Sequence, residues 1–245
     1  MPAKRSRVCI DRVIPLELRQ KARDAAARVN PANRTSPFEA TALATNLWAP
    51  GSTLKICFLG GHPIVQNRVK EHAYEWTKHA NIHFDFGDHE EAQIRIAFRN
   101  DGSWSAVGTD ALVAEYFPKG EPTMNFGWLE TDSTDAVYSE VVLHEFGHVL
   151  GLIHEHQNPS GGIQWDKDVV YAELAGSPNY WDKQTVDHNL FETYDRTLTQ
   201  FTEFDPDSIM LYAFPAEWTL NDVATHTNSL LSATDKEFIT ARYPR

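Results

Sequence analysis

Residues 144–154 read HEFGHVLGLIH, a stretch that carries three histidines and two glycines. His144 and His148 lie four positions apart, so on a helix both imidazoles point to the same side and can share one cation. Gly151 can adopt the left-handed conformation that ends a helix, and the turn brings His154 back as a third ligand. Three neutral nitrogens with one open position are typical of a catalytic zinc site rather than a structural one.

Glu145 lies beside the first of these ligands, where its carboxylate can accept a proton from a metal-bound water. Histidines and a glutamate inside an apolar helix need strong partners, because unpaired buried charge is costly. A bound dication supplies such partners, so we expect Zn²⁺ rather than a helix with solvated histidines. The apolar residues of this helix are Val141, Val142, Leu143, Val149, Leu150 and Leu152.

The motif resembles that of the metzincin clan of zinc endopeptidases, and Glu155 directly after the third histidine is similar to the astacin group. Ser208-Ile209-Met210-Leu211-Tyr212 resembles the Met-turn of these enzymes. Weaker similarities lie at Ser103–Gly108, ahead of the helix, and at Leu231–Asp235, before the last helix. The resemblance covers about 47–244.

The resemblance implies an α+β metzincin fold. Its N-terminal subdomain has a twisted mixed sheet with a backing helix and the active-site helix, and its C-terminal subdomain is loop-rich with a Met-turn and a last helix. It also implies a zinc-dependent endopeptidase that acts on protein or peptide substrates through a metal-activated water, with Glu145 as general base and acid. Two competing functions are a non-catalytic zinc-containing module that binds proteins and a zinc amidase that acts on cell-wall peptides.

The resemblance further implies roles for residues around the metal. The residue that matches Tyr212 ligates zinc at rest in astacins and stabilises the transition state, whereas the alternative is a core tyrosine with a satisfied hydroxyl. Met210 is expected to pack beneath the histidines, and Glu155 either to anchor a processed N-terminus or to lie at the surface. The specificity pocket is expected near the Met-turn, with Phe214–Thr219 as candidate lining.

The chain has 245 residues, 22 basic and 34 acidic side chains and a net charge of −12. This charge disfavours nucleic acid as a partner, and no apolar run is long enough for membrane insertion. The resemblance implies a protein or peptide substrate, and a monomer is expected. The basic N-terminus lacks a long apolar core and is not a secretory signal peptide. A cytoplasmic location or leaderless export is therefore expected, unless a signal has been removed.

Residues 1–40 differ from the rest and are expected to form a separate segment, followed by a catalytic domain at 41–245 divided after residue 151. A thiolate of Cys9 or a carboxylate of Asp11 in this segment could occupy the open zinc position and hold the enzyme inactive. The alternatives are a buried thiol without such a role or a Cys9–Cys57 disulfide, since these are the only two cysteines.

Hydrophobic periodicity predicts the remaining elements. Helices are expected at 15–30, 64–80, 137–150, 168–175 and 234–241. Strands are expected at 53–59, 82–86, 93–98 and 123–129.

Overall fold

The computed structural model describes residues 8–10, 12–34, 46–158, 160–193 and 203–245. The strands are β1 (Thr53–Phe58), β2 (His83–Phe86), β3 (Ile94–Ala97), β4 (Trp104–Ser105) and β5 (Met124–Asn125). Within the described ranges they form one mixed sheet of five strands in the order β2-β1-β3-β5-β4. The first four strands in this order pair in parallel, whereas β4 is antiparallel to β5 and forms the edge.

The helices are α1 (Arg19–Val29), α2 (Pro63–Thr77), α3 (Asp135–Val149), α4 (Lys167–Leu174), α5 (Lys183–Val186) and α6 (Ala233–Arg242). Side-chain caps mark where two of them begin. The Thr134 hydroxyl accepts from the Val137 N–H at the start of α3, and Ser232 forms a capping box with Asp235 at the start of α6. None of the helices in the described ranges is long and apolar enough to cross a bilayer.

The main core joins α2 and α3 to the sheet. α2 turns one face inward, and its Trp76 indole donates a hydrogen bond of 2.9 Å to the Leu143 carbonyl of α3. This bond satisfies a buried polar group while the ring fills the space between the helices. The inward residues of α2 are Val65, Val69, Ala73 and Trp76, and those of the strands include Ile56, Ile94 and Ile96.

A second apolar cluster supports the C-terminal part of the chain. It is built from α4, α5 and the turns that follow the metal motif, and it also receives the N-terminal Val8 and Cys9. Its buried members include Val170, Leu174, Trp181, Leu190, Phe214 and Trp218.

The N-terminal segment is docked on the rest of the protein. α1 packs against the 3₁₀ turn at Gly108–Leu112. The amide of Asn33 donates to the Leu47 carbonyl at 2.7 Å, and Lys21 forms an ion pair with Glu115. Cys9 and Cys57 are not joined by a disulfide. The proposed boundary at residue 40 lies outside the described residues.

The structure confirms the α+β fold and each element expected from periodicity, with ends displaced by up to four residues. The helix expected at 15–30 begins later, at Arg19, because a 3₁₀ turn occupies Leu16–Leu18. The strand expected at 123–129 shortens to the two residues of β5. β4 and α5 were not anticipated, because two and four residues are too few to show a hydrophobic period.

Candidate metal centre

Two features of the motif reverse the direction of the chain directly after α3. Gly151 adopts a φ of +88°, the left-handed conformation that its place in the sequence predicts, and Leu152 N–H donates to the Gly147 carbonyl at 3.0 Å. A Cβ at Gly151 would also approach the Leu47 side chain to 2.8 Å. The reversal carries His154 back to the helix face that holds His144 and His148.

The three imidazoles converge on one point. His154 Nε2 lies 3.2 Å from His144 Nε2 and 3.1 Å from His148 Nε2. All three rings are buried. The structure therefore brings together the three predicted ligands, although they come from a helix and from the loop that follows it.

Hydrogen bonds at the opposite ring nitrogens fix which atoms face this point. His144 Nδ1 lies 2.8 Å from the Ile209 carbonyl, and His148 Nδ1 lies 2.9 Å from the Leu152 carbonyl. A carbonyl oxygen can only accept, so both Nδ1 atoms carry the proton and both Nε2 atoms present a lone pair. Such orientation by carbonyls is typical of metal-binding histidines.

Burial keeps His154 neutral. Desolvation, and secondarily the neighbouring His144, holds the pKa of His154 well below its usual value. Neutral imidazole is the form that binds a metal. Converging lone pairs repel one another unless a cation lies between them, so the cluster is suited to a metal.

The sulfur of Cys9 completes this cluster. Its Sγ lies 3.7 Å from His148 Nε2, and the four ligand atoms of Cys9, His144, His148 and His154 lie within 4.8 Å of one another. Cys9 is 5% exposed, which places the thiol inside the protein rather than at the surface. Asp11, the other candidate for this position, lies outside the described residues.

The ligand atoms fit zinc. Tetrahedral zinc with Zn–N of about 2.0–2.1 Å and Zn–S of about 2.3 Å requires N···N separations near ~3.3 Å and S···N separations near ~3.6 Å. The observed values of 3.1, 3.2 and 3.7 Å lie within about 0.2 Å of these distances. Three nitrogens and one sulfur also form a donor set that zinc favours.

The turn at Ser208–Tyr212, which resembles a Met-turn, packs against the histidine cluster. Met210 is buried against α3, where a Cβ at Gly147 would overlap its sulfur atom. The Asp235 carboxylate accepts from the Ser208 hydroxyl at 2.8 Å and from the Ile209 N–H at 2.9 Å. Ile209 then accepts from His144, so α6 and the Met-turn together orient this histidine.

Tyr212 lies at the edge of the cluster. Its hydroxyl donates to the Cys9 carbonyl at 2.8 Å and lies 3.3 Å from His154 Nδ1, from which it can accept. His156 stacks on the Tyr212 ring at 4.3 Å, while its Nε2 lies 2.8 Å from the Asn189 carbonyl. His156 is therefore committed to packing, and Tyr212 contacts both the histidines and the N-terminal segment.

A cavity of about 540 Å³ opens beside the cluster. Glu145 lines it together with His144, Tyr212 and Cys9, so the proposed proton acceptor faces the space in which a substrate would lie. None of the residues Phe214–Thr219, which were expected near the specificity pocket, is among those that line this cavity, and Phe214 and Trp218 are buried in the second apolar cluster. Other wall residues, which the sequence did not reveal, are Trp128, Glu140, Ser177, Pro178, Thr227 and Asn228.

Glu155 faces away from the cavity into the loop region. Its Oε1 accepts from the Asp205 N–H and from the Asn158 amide, both at 3.0 Å. Burial raises the pKa of Glu155 to about 7. In this structure the side chain ties together the loops that follow His154.

Comparisons with known proteins agree with this geometry. Residues 61–161 match the matrixin family of peptidases. The solved structure of myroilysin is 47% identical, with a TM-score of 0.78, and the match covers 83% of this chain and 98% of that one. High choriolytic enzyme 1, a hatching-enzyme zinc protease of the medaka Oryzias latipes, shares the fold with a TM-score of 0.53 at 16% identity, over 82% of this chain and 95% of that one.

A relative with a longer chain is the zinc metalloproteinase nas-23 of Caenorhabditis elegans. It is 27% identical over 150 residues, which are 60% of this chain and 23% of the relative. The chain thus spans about a quarter of the length of this relative.

Proposed function

We propose that this chain, which belongs to the metzincin family of zinc metallopeptidases, is a zinc-dependent endopeptidase that its own N-terminal segment holds inactive. The observation that carries the proposal is the convergence of three histidine Nε2 atoms and the Cys9 sulfur beside a cavity that Glu145 lines. Its substrates are proteins or peptides, and it acts as a monomer.

His144, His148 and His154 would hold the zinc ion. The bound ion would lower the pKa of a water molecule towards neutrality and polarise the carbonyl of the bond to be cleaved. The Glu145 carboxylate accepts the proton of the attacking water and delivers it to the leaving amine nitrogen. The Tyr212 hydroxyl donates a hydrogen bond to the carbonyl oxygen as its negative charge develops.

Residues 1–40 act as the inhibitory segment and 41–245 as the catalytic domain, divided after residue 151. The Cys9 thiolate would be a fourth ligand of the zinc ion in place of the attacking water, and the side chain is buried. Backbone contact extends this hold, because Ile10 N–H donates to the Ser103 carbonyl at 3.2 Å. Removing or displacing the segment opens the site.

Removal of zinc tests the metal assignment. Chelation is expected to abolish casein cleavage by the activated enzyme and to lower the melting temperature of the full chain, because the metal binds only the folded state. At a zinc concentration a thousand times Kd, zinc raises the free energy of unfolding by about 4 kcal/mol. This corresponds to a rise in melting temperature of roughly 8–16 °C. Calorimetry and casein digestion after readdition of zinc or calcium provide the measurement. Recovery with calcium alone, or an unaltered melting temperature, would exclude the zinc site.

Tyr212→Phe tests the role of the hydroxyl. In a Cys9→Ala background we expect kcat to fall roughly 10- to 100-fold with zinc content unchanged, because one transition-state hydrogen bond is lost. Tyr171→Phe is the matched control, since the Tyr171 hydroxyl donates to Asp187 rather than to the histidine cluster. Equal turnover in both variants would assign Tyr212 to packing alone.

A further inference from the structure

We propose that Glu140 gives the cleft a preference for a lysine or arginine side chain next to the cleaved bond. This inference rests on the endopeptidase function proposed above and specifies its substrate class. Glu140 precedes His144 by four residues on α3, so it lies one helical turn, about 6 Å along the axis, from the first metal ligand. Both residues line the same cavity.

The cavity wall is suited to bind a long amphipathic side chain. About half of its inner surface is apolar, so the carbon chain of a lysine or arginine can pack on that part while its charged end contacts polar groups. The Glu140 carboxylate supplies such a group within the same wall. The apolar residues of the wall include Trp128, Val137, Val141, Pro178, Ile209, Leu211 and Ala213.

The charge of the wall favours a cation over an anion. Glu140 and Glu145 are its two carboxylates, and the wall holds no lysine or arginine among the described residues. A carboxylate has two oxygens that accept several hydrogen bonds, so Glu140 can receive a ligand cation together with its other contacts. The net charge of −12 adds a long-range attraction for basic peptides.

The N-terminal segment places a cation on the edge strand β4. It leaves the metal cluster at Cys9, pairs with Ser103 through Ile10, and lays the Arg12 guanidinium 4.3 Å from the centre of the Trp104 ring. Cation–π contact of this kind is favourable where water is partly excluded. The segment that carries Cys9 therefore holds a basic residue against β4, a contact that does not involve Glu140.

Paired peptides test the proposal. We compare peptides that carry either lysine or norleucine at one of the two positions flanking the cleaved bond and are otherwise identical. The full chain with Cys9→Ala digests them, with and without the additional substitution Glu140→Gln. At one position we expect the ratio of kcat/KM for lysine over norleucine to exceed about ten and to fall at least tenfold in the Glu140→Gln enzyme. Because the ratio is taken within one preparation, partial misfolding does not affect it.

Glu237→Gln, which removes one exposed negative charge on α6, is the matched control and should keep the ratio of the parent. A ratio near one at both positions, or a ratio that Glu140→Gln leaves intact, would overturn the role of Glu140. An equal fall in the Glu237 variant would assign the preference to net charge and would also overturn it. Casein cleavage by the parent reports separately on the endopeptidase function.

Discussion

Glu145→Gln is expected to lower the turnover of casein by the activated enzyme by about 10²- to 10⁴-fold while zinc binding stays intact. Glutamine nearly matches the shape of glutamate but cannot accept the proton of the attacking water. The side chain is 1% exposed and lines the cavity beside His144, so bulk water cannot readily replace it as a base. A loss of this size without loss of metal would separate proton transfer from metal binding.

The experiment compares kcat and zinc content of Glu145→Gln with those of Glu173→Gln, an exposed carboxylate on α4, both in the Cys9→Ala background. Full activity in the Glu145 variant would contradict the proposed acid–base role. Zinc lost together with activity would instead assign Glu145 to the integrity of the site. A protein that merely binds zinc and captures ligands would cleave no casein even with Glu145 present.

Cys9→Ala is expected to raise the peptidase activity of the full chain at least roughly tenfold, which corresponds to about 1.4 kcal/mol. The substitution removes the sulfur that lies with the three histidine nitrogens and leaves a coordination position for water. The same variant should lose the sulfur-to-metal charge-transfer absorption of the cobalt-substituted protein, which reports the thiolate ligand without any turnover.

Cys57→Ala is the matched control. It removes the other thiol, a half-buried side chain on β1 outside the metal cluster, and should keep both the low activity and the absorption band. An unaltered activity in Cys9→Ala would mean that other contacts of the segment block the cleft. A deletion of residues 1–40 that gave no higher activity than the full chain would reject the inhibitory role of the segment altogether.

The metal ligands could be predicted from sequence because local geometry determines them. A four-residue spacing on a helix and a glycine in the left-handed conformation are sufficient to bring His144, His148 and His154 together. The main helices were predictable for the same reason, since α2 and α3 each extend over four turns with clear caps.

The residues of the cavity wall could not be predicted from local sequence patterns. Ser177, Thr227 and Asn228 reach it from turns that are distant in sequence, and no short-range pattern marks them. Cys9 was identified only as a candidate, because its approach to His148 depends on contacts between residues distant in sequence, such as that of Ile10 with Ser103. Tertiary packing, rather than local preference, decides these positions.

The carboxylate of Asp235 connects the last helix to the first metal ligand. It caps α6 and, through Ile209, sets the orientation of His144, a residue synthesised much earlier. A chain without α6 would therefore lack one support of its first metal ligand. The C-terminal helix, which lies outside the metal-binding motif, is consequently needed to orient a ligand that stands far earlier in the sequence.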